Sequence, residues 1–201
     1  VTTDSAIIRR SLDEPSAFAE LFDRHAHAIG RFAAQRVGAE AGKDVLSETF
    51  LVAFRKRASF DHAWESALPW LYGIAARLIR KQRAGEARQW RSIAAAARIA
   101  ERGDDGALRR AEEQADAAAL TGRLAERIAA LPPRDRDTLL LYAWHDMTYE
   151  QIAAALGVPV GTVRSRLNRV RRRFADLHGG AAPGGAIGRE EGRDGRVEQG
   201  A

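Results

Sequence analysis

The sequence predicts an all-α fold of two small helical domains joined by a flexible linker, the second carrying a helix-turn-helix. Three observations predict it. Apolar residues recur at three- and four-residue spacing over most of the chain, and strand-like alternation is nearly absent. Near the C-terminal end, a short capped helix, a glycine and a second amphipathic helix follow one another. At 201 residues, 45% of them hydrophobic, the chain has material for one large or two small cores. No run of about 18 apolar residues occurs, so membrane insertion is not expected. No charged-then-apolar leader opens the sequence, which makes a cytoplasmic location the expectation. The lack of cysteine excludes disulfides, thiolate metal sites and a cysteine nucleophile. Net charge is +5, and every basic residue except Lys43, Lys56, Lys81 and the histidines is arginine. Arginine suits bidentate contact with phosphate and guanine, but a GC-rich genome also enriches it, so location must decide its meaning.

The first domain is expected over residues 5–84. Asp13-Glu14-Pro15 marks a helix start, an acid at the cap and proline in the first turn. Phe18, Leu21, Phe22, Ile29, Phe32 and Ala33 then share one face. Gly38 and Gly42 interrupt, and a second helix is expected from about Lys43 to Arg57, burying Val45, Leu46, Val52 and Ala53. A polar loop from Ser59 to Ser66 leads to a third helix that contains Pro69 and ends near Arg83. Its inward stripe is Leu71, Ile74, Ala75, Leu78 and Ile79. Over residues 85–106 the periodicity degrades and Gly103-Asp104-Asp105-Gly106 breaks it, which predicts a linker with transient helix at Ala94 to Ala97. The second domain is expected over residues 107–178. It begins with an alanine-rich helix whose Leu120, Leu124, Ile128 and Leu131 share a face. Pro132-Pro133 ends that helix, and Asp135 opens the next, through Leu139, Leu140, Leu141 and Trp144. Residues 179–201 replace apolar side chains with glycine and charge, a composition expected to be disordered.

The most informative stretch runs from Thr148 to Leu167. Thr148 is a good N-cap, and Gln151 three residues later completes a capping box. Ile152 and Leu156 anchor the short helix, and Ala153 lets its neighbour approach. Gly157 supplies the positive φ that a tight helix–helix turn needs. Val158-Pro159 then leads into a second helix. At 100° per residue, Val163, Leu167, Val170 and Phe174 fall on the core side. Ser165, Asn168, Arg169 and Arg172 point the other way with Thr162 beside them, flanked by Arg164 and Arg171 on one side and Arg166 and Arg173 on the other. Such a face can reach base edges, with cations at its borders for phosphates. A solvated basic helix would explain Arg171 to Arg173, which the macrodipole favours. It would not explain the capping box, Gly157 and the arginines at 164 and 166 together.

Three segments then resemble a known family. Asp44-Val45-Leu46-Ser47-Glu48-Thr49-Phe50-Leu51 resembles the helix by which sigma factors grip the polymerase clamp. Pro69-Trp70-Leu71-Tyr72-Gly73-Ile74-Ala75-Ala76-Arg77 resembles their −10-element helix, and Leu131 through Phe174 their −35-binding domain. With two domains and no third between them, the chain is similar to the extracytoplasmic-function group of bacterial RNA polymerase sigma factors. The resemblance implies that Asp44, Ser47, Glu48 and Leu51 contact core polymerase. It implies a pocket for a flipped −10 base around Phe60, Asp61, His62, Trp64 and Trp70, since unpaired bases are read by stacking and edge hydrogen bonds. Arg77, Arg80 and Lys81 would hold that strand's phosphates. Thr162, Arg164, Ser165, Arg166, Asn168, Arg169 and Arg172 would read the −35 duplex. Promoter DNA, core polymerase and an anti-sigma factor are the implied partners, and no cofactor or metal is implied. The chain departs from the family at two points. Ser47 stands where glutamine is usual, and Leu78 follows Arg77 where asparagine is usual, so a side chain able to read a base edge is missing there.

Two other function classes were weighed. A helix-turn-helix regulator that is not a polymerase subunit would share the C-terminal half, but not the clamp-like and −10-like helices. An enzyme would need a motif that is not found. His25 and His27, near Glu20 and Asp23, are spaced i, i+2 and so project to different helix faces, unlike a helical zinc pair; surface positions are expected for both.

Overall fold

The computed structural model describes residues 2–101, 110–145 and 147–175, and among them every regular element is a helix. They are α1 Asp4–Asp13, α2 Ala19–Val37, α3 Ala39–Lys56, α4 Leu68–Lys81, α5 Arg83–Glu101, α6 Arg110–Ala130, α7 Pro133–His145, α8 Tyr149–Leu156 and α9 Val160–Phe174. The expected tail, residues 179–201, and the Gly103 to Gly106 break lie outside the described residues.

The N-terminal helices form near where the periodicity placed them, with one addition and one difference: α3 starts at Ala39, and Gly42, expected as a break, is buried inside it where a Cβ would come within 2.8 Å of the Ala34 backbone. Helix α1 precedes the first expected helix and is capped by Thr3, whose side chain accepts the Ala6 amide at 3.2 Å. Its Ile7 and Ile8 are fully buried beside Leu21, Ile29, Phe32, Leu71 and Ile79. Phe22, expected in that core, is exposed and meets Phe50 edge-on at 4.8 Å. Leu78 is half-buried rather than central.

Of the expected linker over residues 85–106, residues 85–101 belong instead to α5, Arg83–Glu101. Trp90, Ala94 and Ala97 are buried on one face of it, and the first two share a cluster with Ala125, Ile128, Leu131, Leu140, Val170 and Phe174. The stripe is hard to see in sequence because two of its three members are alanines. Their small size is what allows α5 and α6 to approach: a Cβ added at Gly122 would lie 3.1 Å from that of Ala97. The same packing rotates α6 away from its expected face. Ala125, Ile128 and Leu131 are inside, while Leu120 and Leu124 are 52% and 40% exposed.

Helices α7 to α9 dock directly on the N-terminal helices, so one apolar cluster runs from Ile7 to Leu167. The closest approach is at Gly73 of α4, where a Cβ would come within 2.0 Å of the Ala155 carbonyl oxygen of α8. Only glycine fits there. Beside this crossing, Tyr72 Oη lies 2.8 Å from His145 Nδ1, and burial pushes the phenol up to about 12 against the opposing pull of Arg31.

A buried charge cluster ties four helices together. Arg36 of α2, fully buried, donates through Nε to Glu86 of α5 at 2.6 Å and through Nη2 to Asp137 of α7 at 2.8 Å. Arg80 of α4 also reaches Asp137, and Arg136 lies 3.1 Å from Glu86. Arg136 in addition donates to the carbonyls of Ile128, Ala129 and Leu131, closing the end of α6. Removing one member leaves a buried charge short of a partner, a change that typically costs about 3–5 kcal/mol. Asp137→Ala should therefore lower stability by about that amount in urea unfolding; an unchanged midpoint would show that the cluster carries no such weight.

Candidate nucleic-acid interface

The helix-turn-helix is built by local hydrogen bonds that the sequence dictates. Thr148 Oγ1 accepts the Gln151 amide at 3.2 Å, and Gln151 Oε1 accepts the Thr148 amide at 2.9 Å, a complete capping box. Gly157 ends α8 at φ 64°, ψ 46°, in the left-handed region. The Val158 amide returns to the Ala153 carbonyl and that of Gly157 to Ala154, the paired bonds of a Schellman turn. Extended Pro159 then starts α9, whose interior rise buries Val163, Leu167, Val170 and Phe174.

On the opposite side Arg164, Ser165, Asn168, Arg169 and Arg172 are exposed and Thr162 is half-exposed, as the 100° projection requires. Arg166 is the exception. It is 8% exposed, its guanidinium lies 3.5 Å from Thr138 Oγ1, and burial lowers its pKa, with Asp135 pulling the other way. It was expected on an exposed flank; the first turn of α7 covers that flank. Arg169 makes a forked contact with Asp135 at 3.1 and 3.2 Å while keeping half of its surface in solvent. Arg171 bonds Asn168 and Tyr149, which orients it along the helix edge.

Helices α4 and α9 face each other across an open cleft of ≈ 1140 Å³. Arg77, Arg80 and Lys81 line one wall and Arg166, Arg169 and Arg173 the other, with Asp135 the one carboxylate among the described lining residues. The field there favours a polyanion. Two acids of the first turns of α7 stand in this region and engage one arginine from each wall, Asp135 with Arg169 and Asp137 with Arg80. These acids, and Arg36 and Glu86 behind them, were not singled out from sequence, because charged residues on an amphipathic helix read as solvated surface.

The loop between α3 and α4 is compact. Asp61 Oδ1 accepts the Ala63 amide and the Asp61 carbonyl that of Trp64, so Asp61, His62, Ala63 and Trp64 form a turn. Phe60 is 6% exposed and forms its floor, edge-on to His62 at 5.4 Å and to Trp70 at 5.3 Å. Asp61 is exposed, and His62, Trp64 and Trp70 are half-exposed. Asp44, Ser47, Glu48 and Leu51 all lie exposed on one side of α3. With Leu78 and Lys81 of α4 they line another, smaller depression, so Leu78 belongs to that groove. His25 and His27 do point apart. His27 is exposed, but His25 is buried with Nε2 2.6 Å from Asp4, so it is a structural partner and not a surface residue.

The fold and this interface define a helical DNA-binding protein with a helix-turn-helix and a second cationic helix beside it. A family model for sigma-70 region 4 matches residues 121–174. The ECF RNA polymerase sigma-E factor of Escherichia coli (strain K12) is 30% identical over 176 residues, covering 84% of this chain and 91% of the relative. That of Haemophilus influenzae (strain ATCC 51907 / DSM 11121 / KW20 / Rd) is 31% identical, covering 84% and 92%. Among solved structures, CnrH in complex with the cytosolic domain of CnrY superposes with a TM-score of 0.58 at 21% identity, over 87% of this chain and 96% of that one. The sigma factor RpoE of Bartonella quintana, solved with the anti-sigma factor NepR, gives 0.52 at 20% identity over 80% and 95%. These two likenesses carry the fold alone. The chain belongs to the ECF RNA polymerase sigma factors, DNA-binding proteins of transcription initiation.

The two exposed sides of α9 should behave differently in duplex binding. Arg169→Ala should lose about 1–3 kcal/mol of discrimination at one base pair, while Arg164→Ala should weaken all sequences and flatten the salt dependence by about one counterion. Leu167→Asp should unfold the region instead. Titrating matched and mismatched duplexes at several salt concentrations, with circular dichroism alongside, checks this; normal binding by both arginine variants would remove α9 from the groove.

Proposed function

We propose that the chain joins core polymerase through α3, reads duplex −35 DNA with α9, and captures the melted −10 strand on α4 and the loop before it. The observation that carries this reading is the opposition of faces on α9. Val163, Leu167, Val170 and Phe174 are inside, and the polar and cationic residues other than Arg166 are outside, on the side that shares a cleft with the α4 cations. Thr162, Ser165, Asn168 and Arg169 would meet base edges, and Arg164 and Arg172 the phosphates. Arg166 supports α9 from within. On the −10 side, Asp61, His62, Trp64 and Trp70 would receive a flipped base over Phe60, with Arg77, Arg80 and Lys81 along the strand.

In this arrangement Asp135 and Asp137 occupy arginines that DNA would need. Promoter engagement therefore exchanges two internal carboxylates for phosphate or guanine, and α7–α9 part from α4 as it happens. On that view residues 5–84 and 107–178 act as two promoter-reading domains joined through the segment over 85–106. The protein is read as a non-catalytic subunit acting in the cytoplasm, where core polymerase works. An anti-sigma factor is its proposed regulator, because the Bartonella quintana sigma factor RpoE was solved in complex with one.

The polymerase contact is the part that separates this reading from a free-standing regulator. Asp44 and Glu48 are exposed, so exchanging both for arginine should leave the fold intact and abolish assembly with core polymerase through like-charge repulsion at a basic clamp. Pull-down with purified core polymerase measures it. Undiminished assembly by the folded double variant would refute the role of α3.

A further inference from the structure

Helix α1 has no place in the reading so far, yet its first turn is bonded almost entirely to the loop before α4. The amides of Asp4 and Ser5, which have no acceptor within their own helix, both point at the Glu65 carbonyl, at 3.1 and 3.4 Å. Asp4 Oδ2 accepts the Ala67 amide at 2.8 Å and the Ser66 hydroxyl at 3.3 Å. Ser5 Oγ lies 2.9 Å from His62 Nδ1 and 3.4 Å from the His62 carbonyl oxygen. Asp4 and Ser5 are both buried, and Arg24 and His25 of α2 complete the surroundings of the Asp4 carboxylate. At its other end α1 is tied to the same region, since Arg57 donates to the Ser11 carbonyl.

The loop needs such support. Between Asp61 and Ala67 it has no regular structure, and its internal bonds are limited to the turn at Asp61 and the Ser66 hydroxyl to Leu68. A site that reads one base by shape and edge contacts requires side chains held by a surrounding shell. We propose that Asp4 and Ser5 are positioning residues for base selection: the first turn of α1 fixes the 62–67 segment in its base-receiving shape and sets the ring orientation of His62. Burial raises the Asp4 pKa, but the Ala67 amide, His25 and Arg24 outweigh it and hold the carboxyl below its ordinary value, so the acceptor is ionised where the loop closes on it. The inference rests on the reading of this loop as the −10 base pocket.

The test uses the full chain with core polymerase and a promoter template randomised across the −10 region, with transcripts sequenced to give the preference at each base. Ser5→Ala and Asp4→Asn are compared with the parent, and Trp64→Ala and Asp61→Ala report on the pocket itself. Expected is a fall of about 3- to 10-fold in preference at the flipped base for both α1 variants, the worth of about one hydrogen bond. Preference in the −35 region and assembly with core polymerase should stay as in the parent. If the pocket variants change the preference while folded Ser5→Ala and Asp4→Asn do not, α1 is only scaffold and the proposal is wrong. Should the pocket variants also leave the preference untouched, the loop is not the base pocket and both readings fall. Ser5→Ala keeps every Asp4 contact, so it decides the matter even if Asp4→Asn does not fold.

Discussion

The architecture hangs on the buried contact between Arg36 and Asp137. Both side chains are fully buried, they come from helices about a hundred residues apart in sequence, and each has a second partner of opposite sign, Glu86 and Arg80. Ions removed from water are stable only when their geometry is satisfied, so such a cluster tolerates few relative placements of its helices. It sets α7 against α2 and α4, and with α7 come α8 and α9. The fit of Ala155 over Gly73 follows from that placement and admits nothing larger.

The cluster also joins structure to function. Asp137 faces inward to Arg36 and outward to Arg80, and Asp135, half a turn before it, holds Arg169. Each of the two cationic surfaces thus has one arginine neutralised from the N-terminal part of the same helix, and Asp135, in its first turn, is also favoured by the helix dipole. A phosphate backbone offers many charges at once, and counterion release adds to its pull. In the proposed reading these two carboxylates yield their arginines to DNA.

The helix-turn-helix was the most legible part of the sequence because its instructions are local. Thr148, Gln151 and Gly157 specify caps and a turn within ten residues, and the faces of α9 follow from spacing. The elements that depend on distant partners were harder to read. Helix α1 was missed although Thr3 caps it, since its short polar first turn is explained only by the loop sixty residues away. Helix α5 was taken for a linker because its contact face is built largely from alanine around Trp90. Arg166 was given an exposed flank that α7 covers, and Phe60 was grouped with base-facing aromatics although it packs beneath them. In each case the local pattern was sound and tertiary packing decided the exposure. The departures from the family are likewise spatial: Ser47 is exposed on α3 and Leu78 is half-buried on α4, and both line the same α3–α4 groove.

The account stands on the claim that this chain makes core polymerase start at chosen sites. Mapping transcript 5′ ends made from genomic DNA by core polymerase, with and without the full chain, measures that directly. New start sites should appear only with the chain, each preceded by the same two short sequence blocks at a fixed separation. A folded chain that shifts duplex DNA by itself while adding no start sites would contradict the account and make it a regulator of another kind.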